Sequence, residues 1–515
     1  EAVGSGLFGA TLANGRAGNL ELDARRLVIR DGANVSTVTF GSSPGGNIKI
    51  QTTDSVEIRF TPPGSLTPTG IFTNTIGGTG AAGDLEIATA RLQVAQGSQV
   101  LTNSGANTRD GAIPFGGPGG NLTVNASESM ELSGIAPDAR VSTSLGTSTF
   151  SASDAGALNI STGRLLIEGG AGAFASTEGS GRGGSMTVTA SESVEVRGIE
   201  TRGRLRRSGL VANSGRNLVP QPATGVAGDL RLTTPRLVIR DGGEIAVNSR
   251  DLGDAGTLFI EAQTIRLENG GQINGATAAG SGGNLTLEAR QIQLRDRSQI
   301  TTDAGSSNGG NIAIAADTLI ALENSDITAN AREGRGGRVT IAASGIFGTA
   351  FREVQTPQSD ITASSELGPE FGGTVEINAP EVNLLDALAQ LSTEFVNAEQ
   401  LVAESCLARR NRDSGSFTVT GTGGLPEDPY GATSDRYDLS PIRGIGDNPS
   451  NWRQRPPSSS GSARETTWKI GQPIREARGI ATTADGRTLL RTSPRAIAPE
   501  LLDPDVCDRV GQSDL

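Results

Sequence analysis

The chain has 515 residues, of which 72 are glycine, none is histidine and 3% are aromatic, and its formal net charge is −12. Without histidine there are no imidazole zinc sites, no histidine acid–base chemistry and no Ser-His-Asp triads. The acidic balance disfavours a general nucleic-acid-binding surface, and no run of about 18 apolar residues offers a membrane span.

The hydrophobic fraction is only 35%, low for a conventional compact core, and glycine without a G-X-Y period excludes collagen. Regularly spaced Val, Ile and Leu among small residues fit many short strands and tight turns. Glu1 is not preceded by a basic and apolar leader, so an export signal is expected to have been removed or to lie upstream. The opening "SGLFGATLANGRAGN" reads as the third strand and closing turn of a repeat whose first two strands are missing. A longer parent protein is therefore expected.

A glycine that opens each repeat stands at Gly18, Gly46, Gly83, Gly120, Gly156, Gly184, Gly228, Gly256, Gly283, Gly310, Gly337 and Gly373. Two and four places on, every one of these twelve units carries an aliphatic residue or Met, from Leu20 and Leu22 to Val375 and Ile377. Six places on, only Ala or Thr occurs, from Ala24 and Thr52 to Ala379, as an inward bend would require. A second alternating pair follows, as at Leu237/Ile239 and Ile292/Leu294, and a third segment begins near Ile245, Ile273, Ile300 and Ile327.

Alternation with period two buries one face of each strand. A unit of 27 or 28 residues cannot close a core alone, so successive units must stack in register. The prediction is an all-β, right-handed parallel β-helix of about twelve three-strand coils over residues 1–380. At about 4.8 Å per coil the rod is roughly 55–60 Å long. Gly-Asn or Gly-Asp openings such as Asn19, Asn47, Asp84 and Asn121 are read as structural corner residues.

In the units that start at Gly46, Gly120 and Gly184 the second pair is displaced by one residue ("DSVEI", "ESMEL", "ESVEV") and a long insertion follows. These are alternate coils, so the three insertions are expected to leave one corner of the rod. "RDGAIPFGGPGG", residues 109–120, adds a later loop.

Beyond Ala379 glycine becomes scarce, and Leu384, Leu388, Leu391, Phe395, Leu401 and Val402 at mixed spacing predict a helical cap over 381–410 that shields the last sheet edge. Residues 411–515 read as a separate small β-rich module, with a Pro/Ser-rich linker and a hairpin turning at Asp485-Gly486. Cys406 and Cys507 bracket it. In an exported protein they would form a disulfide, worth up to about 4.7 kcal/mol in the chain-entropy model; two buried thiols is the alternative.

The run of "GGN[LI]x[LI]" coils, followed by "AEQLVAESCLARR" and "GSFTVTGTGGLPEDPY", resembles the C-terminal part of the large filamentous-haemagglutinin-like exoproteins of cyanobacteria. The resemblance covers nearly the whole chain and is most specific from Cys406 to Tyr430. It implies two-partner secretion through an outer-membrane barrel transporter, an extracellular or cell-surface location, and adhesion or aggregation through cell-surface glycans or other cells. The family's N-terminal secretion domain has no counterpart in these residues.

Among candidate sites, Asp241, Asn269, Asp296 and Glu323 occupy equivalent corners about 4.8 Å apart, where calcium could bridge them, although turns favour Asp and Asn in any case. Arg197, Arg202, Arg204, Arg206 and Arg207 crowd one insertion and would suit sulfate, phosphate or uronate groups; the other reading is a solvated loop. The "RDG" tripeptides at 30, 109 and 240 are turn chemistry.

A β-helix polysaccharide lyase or hydrolase would need clustered carboxylates, or Arg or Lys as base. The rod's acids are scattered singly in the sequence and Lys49 is its only lysine. The sequence therefore points to a non-catalytic adhesin or fibre segment with no cofactor, with a carbohydrate-active enzyme and a passive stalk as the alternatives.

Overall fold

The computed structural model describes residues 5–379, apart from 13–14, 66, 109–110 and 216–220, and two short strands at 479–482 and 488–491. The chain divides into two compact units, residues 1–383 and 384–515.

In the first unit, twelve strands follow one another in sequence order across a single sheet, from Leu20–Arg30 to Thr374–Asn378. A second sheet of thirteen shorter strands starts at Gly6–Thr11, in the place of a third segment. Every neighbouring pair in both sheets is parallel, and successive strands of one sheet belong to successive repeats except at the end of the short sheet, where Thr349–Phe351 and Ser359–Thr362 share one. This is a parallel β-helix. Leu258 pairs in register with Leu285 and Leu285 with Ile312. One continuous apolar cluster accordingly runs from Ile29 to Ala363 along the bore.

The first two segments of each coil are two limbs of one strand, such as Asn284–Leu294 with eleven residues. The strand bends at the Ala or Thr instead of ending there, because the ladder to the neighbouring coils continues through it. At Thr89, Thr162 and Thr234 the bend hydroxyl ties the turn by donating to the carbonyl two residues on, at 3.2–3.4 Å, while Thr52 donates to the Thr89 hydroxyl at 2.7 Å. In the displaced coils the extra residue is a β-bulge: the register slips between Gln51 and Ser55 and between Ala126 and Ser129. A bulge absorbs one residue without turning the second limb inside out.

The short sheet buries a column of hydroxyl residues beside its aliphatic one. Thr37 donates to the Gly46 carbonyl and Thr102 to the Gly120 carbonyl, each at 2.6 Å. These bonds satisfy closing-turn carbonyls that stack too tightly to admit water. The opening glycines are required by the same closeness, since a Cβ on Gly256 would lie 2.0 Å from the Gly228 carbonyl oxygen. Asparagine and aspartate at the next position form a corner ladder. Asn19 Oδ1 accepts from the Asn47 amide (3.0 Å), Asn47 Oδ1 from Asp84 (3.0 Å) and Asp84 Oδ1 from Asn121 (2.8 Å).

In the second unit, strands Gly479–Thr482 and Thr488–Arg491 pair antiparallel, as the hairpin reading requires. The turn at Asp485-Gly486, the helical cap over 381–410, the rest of the 411–515 module, and Cys406 and Cys507 lie outside the described residues.

Candidate functional site: the loop-bearing flank

The second limb of each coil ends at a corner whose first residue has a positive φ. Asp31 (59°), Gln96 (56°), Gly169 (63°) and Asp241 (54°) open three-residue turns; Phe60 (63°), Gly134 (70°) and Gly198 (91°) open the insertions. Both "RDG" corners described, Asp31-Gly32 and Asp241-Gly242, belong to this turn. The three insertions, residues 60–69, 134–143 and 198–208, thus leave the same corner in alternate coils, as their spacing predicts.

Each insertion closes on a hydroxyl just before the next strand. Thr69, Thr143 and Ser208 accept from the amides of Gly32, Gly97 and Gly170 in the preceding coil's turn, at 2.8–2.9 Å. The loops are also fastened to one another across the intervening short turns. The Gly64 amide donates to Asp138 Oδ2 and the Arg140 amide to its Oδ1, each at 3.1 Å, and against the upward pull of desolvation these two donors hold the Asp138 carboxyl below its usual range. The Arg206 guanidinium donates to the carbonyls of Ala139 (2.8 Å) and Arg140 (3.0 Å). Three sequence-distant loops form one continuous edge.

Four of the five arginines anticipated as an anion site have separate protein partners. Arg197 bridges Glu168 (2.6 Å) and Glu195 (3.1 Å), and the Glu168 bond raises its pKa. Arg202 pairs with Glu200 at 2.9 Å, a contact that pulls the Glu200 carboxyl down to about 2. Arg206 joins the loops, and burial, with Arg204's charge beside it, lowers its pKa. Arg207 donates to the Gly242 carbonyl at 2.7 Å. Arg204 alone has no polar partner among the described residues, and it is exposed. The Arg202, Arg206 and Arg207 side chains hold the insertion in shape.

The corner acids are likewise engaged. Asp241 pairs with Arg240 at 2.6 Å and accepts from the Asn269 amide at 2.8 Å. Glu323 pairs with Arg295 at 2.5 Å, which lowers its pKa, while its hydrogen bond to Asp296 raises that of Asp296. Among the described residues no group of three or more Asp, Glu or Cys is arranged to hold a metal ion.

One set of acids escaped the sequence reading. Asp326 and Asp360 stand side by side in neighbouring strands of the short sheet, and Asp303 follows the short strand of the coil before them. Asp360, fully buried, pairs with Arg352. Asp326 accepts from the Asp360 amide (2.9 Å) and from Gln355 (2.6 Å). Burial raises the pKa of both Asp303 and Asp326. The 34-residue separation of Asp326 and Asp360, set by the insertion at 348–358, hid their alignment.

Comparison with known protein families, with curated proteins and with solved structures gave no match.

Proposed function

We propose that this chain is a non-catalytic segment of an exported, haemagglutinin-like adhesin: a rod that presents a bonded row of loops to cell-surface glycans or other cells. The supporting observation is the flank itself. Insertions in a repeat rod cost little stability when they hang free, yet these three are tied to one another by Asp138 and Arg206. Pre-ordering a surface in this way lowers the entropy lost on binding. Passage through an outer-membrane transporter of the two-partner type, and an extracellular location, rest on the sequence resemblance.

Replacing residues 199–207 by a two-residue turn is the direct test. Adhesion of the purified chain to cells or immobilised glycans is expected to fall while the unfolding curve of the rod is kept. Unchanged adhesion would favour the passive stalk. A second reading, a carbohydrate-active enzyme, draws support from Asp303 and Asp326, because a buried acid with a raised pKa is what a general acid needs. Release of reducing ends or unsaturated products from a polysaccharide, abolished by Asp303→Asn, would establish that reading and displace the adhesin.

A further inference from the structure

The bent outer face of the long sheet carries two adjoining hollows whose lining includes no residue of the three insertions. One spans the bends of the first five coils, with Ala88, Asn125 and Ser127 among its lining; the other adjoins it beside Arg91, Glu57 and Glu131. The lining holds no aromatic residue. Small side chains at the bend let a ligand approach the backbone, and amides and hydroxyls stand beside them.

Along the second limb the charges alternate from coil to coil. Arg26, Arg91 and Arg164 belong to one set of coils, and Asp54, Glu128 and Glu192, carried on the bulges, to the coils between. Arg91 reaches both Asp54 and Glu128, the latter at 2.9 Å, and Arg164 lies 3.6 Å from Glu192. These pairs are about half exposed, 48% and 55% for Arg91 and Glu128. Exposed pairs of this kind add little to stability, so the fold alone does not account for their repetition. The pattern recurs every second coil, on the order of 10 Å.

We propose that this trough binds an extended, neutral, β-linked polysaccharide lying along the rod axis. A flat β-linked chain turns each ring over relative to the last, so the same face returns every second sugar. It therefore shares the two-unit period of the trough. Guanidinium and carboxylate side by side offer a donor fork and paired acceptors to ring hydroxyls, and their charges cancel, which suits an uncharged chain. The site is separate from the loop flank and does not depend on the adhesin reading.

The test uses the intact chain with two soluble probes, hydroxyethyl cellulose (β-1,4-linked) and dextran (α-linked), in affinity electrophoresis. Retardation by the first and not the second is expected. Ala88→Trp, which fills the larger hollow, and Arg91→Ala, at an exposed position that folding tolerates, should each weaken retardation by about tenfold or more. Replacement of 199–207 should leave it unchanged. Equal retardation by dextran, absence of retardation by hydroxyethyl cellulose, or full retention in Arg91→Ala and in a folded Ala88→Trp would each overturn the proposal.

Discussion

At the scale of single residues the rod is governed by close approach. Gly256→Ala would force a methyl group to within 2.0 Å of the Gly228 carbonyl, and overpacking of this kind costs about 1–3 kcal/mol. The urea midpoint is expected to drop accordingly, and an unaltered midpoint would show that the coils can separate locally. Thr102→Val keeps the shape but leaves the Gly120 carbonyl without its donor, at a cost of about 1–3 kcal/mol. The buried acids set the response to pH. Asp303 and Asp326 have raised pKa values, so the stability they contribute is fully present below about pH 3.9 and is lost as pH rises through their folded values. Thermal midpoints should therefore fall between mildly acidic and neutral pH, and Asp303→Asn should flatten that slope. A midpoint that climbs steadily toward neutrality in both proteins would contradict this assignment.

At the scale of the element, the repeating unit differs between the two halves of the rod. Coils from Gly256 to Gly337 recur every 27 residues without insertion, so deleting 283–309 would bring Leu258 onto Ile312 and keep every ladder. That variant should remain folded, with a proportionate loss of stability, as judged by circular dichroism and denaturation. In the first half the unit is a pair of coils, one bulged with a long insertion at the flank corner and one with neither the bulge nor that insertion. Deleting the unbulged coil, residues 83–119, together with the later loop it carries, would set Asp54 against Glu128 and place two insertions on adjacent levels. Misfolding or marked destabilisation is expected there. Equal tolerance of both deletions would mean that the alternation is incidental.

At the scale of the whole rod, the strands of each coil pair only with those of its neighbours, so apart from the loop-to-loop bonds stability is a sum of local and nearest-neighbour contributions. Leu285→Ala removes a fully buried side chain and should cost about 2–5 kcal/mol. Hydrogen exchange should quicken in its own coil and those beside it and remain unchanged near Ile50, seven coils away. Uniform acceleration along the rod would indicate a single cooperative unit instead.

The sequence by itself determined the coil. Period-two alternation in Leu285, Leu287, Ile292 and Leu294, a small residue at Ala289 and a glycine at Gly283 admit one stacking register, because a slip by one would turn the aliphatics out to water. The one-residue displacement in "DSVEI" announced its bulge for the same reason, and the alternate-coil spacing of the insertions placed them on one corner. What the tertiary structure decided was which polar groups meet. Asp138 with Gly64, Arg206 with Ala139, Arg91 with Asp54 and Glu128, and Asp326 with Asp360 are pairs 34 or more residues apart. Their meeting depends on loop paths and side-chain reach, which burial does not constrain. Hydrophobic periodicity is written locally and repeated twelve times; each polar partnership occurs once, across coils, and exists only when the rod is built.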